Sequence, residues 1–182
     1  VVASLLDGGA RRWAATAAPP LLVVLALGKA ALALGGTGQG VPSDASWATA
    51  YAGPGPWGSL APSVPSHPAQ LYEAGAYLVA LVVVVASLAA VGRSARWDGR
   101  LLGAVLVLVG LVRLAVGATW RDAIVLGPLR SGQLLALAPF GLGLVLVLAW
   151  RRAPLADGRS SATEPAWPDP AVAQGWRTGP ER

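Results

Sequence analysis

The sequence predicts an all-α fold, a polytopic membrane helix bundle with about four transmembrane helices. Three observations carry that expectation. Apolar residues make up 54% of the 182 and charged residues only 13%, against roughly 25% charged in a typical soluble domain. The apolar residues gather into four runs, each reaching the roughly 17 to 25 residues that a helix needs to cross a hydrocarbon core. Backbone polar groups cannot stay unpaired in lipid, so even strand-like stretches such as LVALVVVV must be helical there.

The runs fall at about 14–36, 68–91, 101–117 and 131–150. The first contains one charge, Lys29, and ends in GKAALALGGTGQGVPS (28–43). The second opens on HPAQLYEA (67–74); Pro68 suits a first helical turn, where its missing N–H is no loss. In the third, Gly103, Gly110 and Gly117 recur every seven residues and Arg113 lies on the same face, the kind of face on which membrane helices approach closely. The fourth, LLALAPFGLGLVLVLAW, has no charge.

Arginines set the expected orientation, because short cytoplasmic loops retain Lys and Arg. Arg11 and Arg12, then Arg93, Arg96 and Arg100, then Arg151 and Arg152 fall on one side, and Arg121 and Arg130 on the other. Both ends of the chain are therefore expected in the cytoplasm, with 37–66 and 118–130 outside. The first outer loop carries Trp47, Tyr51 and Trp57, aromatics suited to the headgroup level. Residues 1–152 read as the membrane-embedded domain. Residues 153–182, rich in Pro and small polar residues, read as a disordered cytoplasmic tail.

Composition excludes several functions. Cysteine is absent, so this chain supplies no disulfide, thiolate nucleophile or cysteine-based metal centre. The net charge of +5 comes from scattered basic residues rather than a stripe, which argues against a nucleic-acid partner. Methionine is absent and the first residue is Val1, which predicts a processed chain or a fragment.

Ionisable groups inside a membrane helix each need a reason. Lys29 and Arg113 lie one to two turns inside the outer ends of their helices, and Glu73 lies at similar depth. A carboxylate there must be protonated or paired, so Glu73 is expected to pair with Arg113 or Lys29. On the second helix, His67, Gln70, Glu73 and Tyr77 form a polar stripe. On the residues alone, the charges either snorkel, lock the bundle as an ion pair, or form an outward-opening polar pocket with net positive charge, suited to a lipid phosphate. The glycine-rich segment fits neither a Walker loop nor a dinucleotide fingerprint. Its N–H groups offer an anion nest beside the pocket.

These segments resemble the bacterial prolipoprotein diacylglyceryl transferases. HPAQLYEA is similar to that family's RHPxQLYEA block, with Ser66 where Arg is usual. Residues 28–43 look like its GRxGNFxNGExxGxxT segment in the cysteine-bearing variant GRxGCFxxGCCYGxPT, keeping Gly28, a basic Lys29, Gly36, Gly40 and Pro42. Ala18 and Pro19 match an AP pair upstream. GLVRLAVG, from Gly110, resembles GxxRxxxE with Arg113 on its arginine, and SGQLLALAPFGLG, from Ser131, resembles GQxLSxPMxxxG.

The resemblance implies transfer of a diacylglyceryl group from phosphatidylglycerol to a prolipoprotein cysteine, in the bacterial inner membrane and without metal or cofactor. It puts Lys29 and Arg113 on the two phospholipid-binding arginines, with Gly36, Gly40, Gln70 and Tyr72 around the headgroup. For a general base this chain offers Glu73 or His67. The family's histidine lies in an FHGG segment upstream of the positions matched here, and VVASLLDGGARRW looks like the end of that helix and the loop after it. Three positions depart from the pattern: Leu32 for asparagine, and Thr37 and Gly117 for glutamates. They favour, as the alternative, an inactive homologue that binds anionic phospholipid or lipoprotein. A small transporter subunit is more remote, since no charge falls near mid-bilayer and no inverted repeat is visible.

Overall fold

A computed structural model describes residues 8–53, 63–90 and 100–151. Trp57, Arg93, Arg96, Arg152 and the tail from 153 lie outside the described residues, as do the side chains of Arg11, Arg12 and Arg151. The elements are α1 (Gly8–Gly35), α2 (Ala69–Ala90), α3 (Arg100–Gly117), β1 (Ile124–Leu126), β2 (Leu129–Arg130) and α4 (Ser131–Arg151). All four helices are long and apolar enough to cross a membrane. The ends agree with the apolar runs except at α1, which starts six residues earlier. The polar GGARRW stretch continues the helix beyond its apolar span, whose candidate start is Trp13.

Pro19 and Pro20 lie inside α1 without ending it. Each removes an N–H from the helical ladder, which membrane helices tolerate where neighbours and hydroxyl side chains compensate. Around this point α1 is packed against its neighbours, with Ala15, Ala18, Leu22 and Ala26 buried. Ala18, Leu22 and Ala26 join Tyr77, Ala80 and Val84 of α2 and Val105 of α3 in one core cluster. Many of the remaining large apolar side chains, among them Val79, Val82, Leu135 and Val145, are exposed, as expected of surfaces whose solvent is hydrocarbon.

The glycines repeated every seven residues on α3 face α4. A Cβ on Gly103 would stand 2.9 Å from the Gly143 carbonyl oxygen, and one on Gly110 would stand 2.6 Å from Phe140 Cβ. A Cβ on Gly143 would reach 2.5 Å from the Gly103 carbonyl oxygen. Gly143→Ala is therefore expected to force α3 and α4 apart, at a cost of about 1–3 kcal/mol. Denaturant titration in mixed micelles measures this, and an unchanged midpoint would show that the helices have room to spare.

At the end of the bundle where α1 and α3 finish and α2 and α4 begin, the connecting segments are tied together. Residues 37–43 run between 66–67 and 119–120: Gly40 N–H donates to the His67 carbonyl, Val41 N–H to Thr119 and His67 N–H to Val41. Thr49 and Ser66 exchange both backbone hydrogen bonds. A short antiparallel hairpin, β1 paired with β2, leads into α4, an element with no signature in the apolar pattern. It satisfies part of the α4 N-terminus, since Ser131 N–H donates to the Ala123 carbonyl and Gly132 N–H to Asp122 Oδ2.

Candidate active site

The three membrane charges meet. Glu73 is fully buried, and its Oε2 lies 2.8 Å from Lys29 Nζ while its Oε1 lies 2.6 Å from Arg113 Nη1. The expected pairing with one cation or the other is met by both. Tyr77, one turn further along α2, adds a hydroxyl 3.5 Å from Oε2. Arg113 points into the bundle, as its place on the glycine face required. In this low-dielectric setting opposite charges in contact offset part of one another's desolvation cost.

Two participants were not anticipated from the residues. Trp120, just beyond α3, donates its indole N–H to Glu73 Oε1 at 2.6 Å. Its ring lies 4.4 Å from Lys29 Nζ and 4.6 Å from Arg113 Cζ, measured to the centroid. Asp122 stands 3.8 Å from Arg113 Nη2. The cluster thus contains two cations and two carboxylates, and the net positive charge inferred from the sequence is corrected to formal neutrality. Asp122 was missed because it sits in a loop, where no helical spacing connects it to Arg113. Gly132 explains how it comes close: a Cβ there would overlap Asp122 Oδ2 and stand 2.9 Å from Arg113 Nη2.

The other predicted positions divide into two groups. Gln70 is buried and holds the loop in place, with Nε2 donating to the Thr37 carbonyl at 2.8 Å and to Tyr51 Oη at 3.3 Å. Tyr51 in turn donates to the Ala33 carbonyl near the end of α1. Burial raises the Tyr51 hydroxyl pKa above its ordinary value, so it remains a neutral donor at neutral pH. His67 and Tyr72 form a second cluster, with Nδ1 and Oη 3.2 Å apart, and the exposed Trp47 donates to the same Tyr72 Oη at 2.7 Å. A hydroxyl that accepts from Trp47 has its own proton available for His67 Nδ1.

In the glycine-rich segment, four N–H groups are already paired with carbonyls. Gly36 N–H is directed at the Ala33 carbonyl and Thr37 N–H at Leu32, while Gly40 and Val41 donate to His67 and Thr119. Glycine serves here for close approach: a Cβ on Gly40 would lie 2.5 Å from the His67 carbonyl oxygen. Gly38 has a φ of 76°, and a Cβ there would meet the Trp120 ring at 2.8 Å. Beside the cluster a crevice of about 350 Å³ opens between α1 and α2, lined mainly by Ala30, Ala33, Leu34, Pro68 and Leu71. It is apolar, and neither Lys29, Glu73 nor Arg113 lines it.

A helix bundle carrying a Lys–Glu–Arg cluster around a buried carboxylate at one end of its spans defines a polytopic membrane protein with a charged intramembrane centre. The family model for prolipoprotein diacylglyceryl transferase matches residues 9–149, and the chain belongs to that family. Three relatives are named phosphatidylglycerol–prolipoprotein diacylglyceryl transferase. The one from Rhodopseudomonas palustris is 35% identical over 136 residues, covering 70% of this chain and 44% of the relative. Bradyrhizobium diazoefficiens has one 36% identical over 140 residues, covering 71% and 46%. That of Geobacter sulfurreducens is 34% identical over 141 residues, covering 74% and 50%. The chain spans about half the length of these curated relatives. No solved structure gives a significant match.

Proposed function

We propose that this chain is the part of a diacylglyceryl transferase that holds the phospholipid headgroup, and that the protein transfers a diacylglyceryl group from phosphatidylglycerol to a prolipoprotein cysteine. The observation that carries this is the cluster of Lys29 and Arg113, both part-buried, on the buried carboxylate of Glu73, in a chain whose relatives are named for those substrates. In the reaction the cysteine sulfur forms a bond to the glyceryl carbon as the bond from that carbon to the phosphate oxygen breaks. The departing glycerol phosphate keeps the electron pair, and Lys29 and Arg113 stabilise its charge. The thiol proton goes to a base.

Of the two bases in this chain, His67 suits that task better. Both oxygens of Glu73 already accept from Lys29, Arg113 and Trp120, which makes Glu73 the counter-ion. The sulfur comes from the protein substrate, consistent with a chain that has no cysteine. The arginine distribution supports an inner-membrane orientation with the ends of 1–152 and the tail 153–182 in the cytoplasm, and the cluster toward the outer leaflet.

A second reading, binding without transfer, is favoured by Gly117. It packs against the Gln133 side chain, so the family's glutamate has no room there while Gln133 stays in place. Transfer of labelled lipid from phosphatidylglycerol to a lipobox peptide by the full-length protein separates the two. Label in the peptide is expected. Tight phosphatidylglycerol binding with no label transferred would leave the binding reading in its place.

A further inference from the structure

Two cations held by one carboxylate present a difficulty for the headgroup reading. A carboxylate that neutralises Lys29 and Arg113 also hides them from an incoming phosphate, and Asp122 already brings the cluster to formal neutrality. Further stabilisation by a third carboxylate would repel the ligand. Trp120 offers stabilisation of another kind. Its ring face attracts a cation through the quadrupole without adding formal charge, and Trp is the strongest side chain for this contact, more so where water is excluded.

We propose that Trp120 is a positioning residue for the phosphate-binding pair. Its ring holds the Lys29 ammonium and the Arg113 guanidinium beside one another, while its N–H takes up part of the charge of Glu73. Both cations thereby keep attraction to spare for a phosphate headgroup. This rests on the reading of Lys29 and Arg113 as headgroup ligands.

The geometry is that of a fixed support. Trp120 is 6% exposed, with both cationic groups within 4.6 Å of its ring centroid. Its N–H and Arg113 Nη1 share Glu73 Oε1, each at 2.6 Å, so neither donor has that oxygen to itself. The backbone at Trp120 is bridged to Gly40. Gly38, in its left-handed conformation, passes so close that a Cβ would collide with the ring. The glycine-rich segment is therefore shaped to the indole. A side chain fixed on several sides loses little further freedom when the ligand arrives, and such preorganisation adds affinity.

The test is titration of short-chain phosphatidylglycerol into the full-length protein in detergent, with short-chain phosphatidylcholine as control and thermal unfolding measured alongside. Trp120→Leu removes both the ring face and the N–H, and is expected to weaken phosphatidylglycerol binding about tenfold or more. Trp120→Phe keeps an aromatic ring of similar shape and loses the N–H, and is expected to weaken binding by roughly three- to fivefold. Phosphatidylcholine shares the phosphate but adds a cation that the pair repels, so its weaker binding should fall less in both.

A purely structural role would lower the unfolding temperature and leave the affinity of the folded protein unchanged. Wild-type phosphatidylglycerol affinity in folded Trp120→Leu, or in Trp120→Phe should the leucine variant fail to fold, overturns the proposal. If the wild-type protein does not distinguish phosphatidylglycerol from phosphatidylcholine, the headgroup reading itself fails, and this one with it. If Arg113→Gln abolishes the preference while Trp120→Phe retains it fully, only the role of Trp120 fails.

Discussion

Glu73→Gln is expected to destabilise the protein by about 3–5 kcal/mol, because it leaves Lys29 and Arg113 beside a neutral amide, with Asp122, 3.8 Å from Arg113, as the one remaining carboxylate of the cluster. The carboxylate accepts from Lys29 at 2.8 Å and from Arg113 and Trp120 at 2.6 Å each. An amide has a single acceptor oxygen and turns an NH₂ group toward at least one of these donors. Denaturant titration of the purified protein in mixed micelles measures the loss. The double variant Lys29→Met, Glu73→Gln removes one charge of each sign and is expected to recover part of it. If Glu73→Gln unfolds at the wild-type midpoint, the cluster contributes nothing to stability and the packing of α1, α2 and α3 rests on apolar contacts alone.

The largest expected effect on activity is at Arg113. Its guanidinium reaches two carboxylates at once, Glu73 through Nη1 and Asp122 near Nη2, so a lysine at this position would be a poor replacement for the planar fork. With the headgroup reading correct, Arg113→Gln is expected to lower lipid transfer by the full-length protein about 100-fold or more, in line with the loss of one donor to a developing anion. Arg113→Lys should recover a minor share. Lys29→Arg should retain most of the activity or raise it, since it restores the bidentate donor that the resemblance places there. Initial rates of label transfer to a lipobox peptide measure all three. Full activity in Arg113→Gln would remove Arg113 from the site.

What could be read in the sequence followed the physics of the solvent. Apolar run lengths located the four spans, and the repeat of Gly103, Gly110 and Gly117 identified the face of α3 that meets α4. The high cost of burying a lone charge predicted that Glu73 would find a cation. The apolar pattern measures membrane thickness and not helix length, so it did not reveal that α1 begins at Gly8. Trp120 and Asp122 follow the last turn of α3, where side-chain directions no longer repeat every 3.6 residues. Their approach to Glu73 and Arg113 depends on the turn at 117–120 and on the hairpin that delivers Gly132. The pairing of the glycine segment is hidden in the sequence for a related reason. Its N–H partners at 67 and 119 are distant in the chain, and spacing within 28–43 gives no sign of them.

The three clustered charges come from three successive helices in the order cation, anion, cation, and this bears on what it costs to place them in the membrane. A lone ionised side chain on an isolated span raises the free energy of insertion by a few kcal/mol. Lys29 and Glu73 lie on the first two described helices and contact one another, so within the spans Trp13–Gly35 and Ala69–Ala90 the two charges cancel. Arg113 follows on α3, with Asp122 only nine positions behind it and held at the first turn of α4. Each pair of helices thus has a counter-charge for its own cation, which lowers the cost of placing it in lipid, and the salt bridge from Arg113 to Glu73 joins the two pairs.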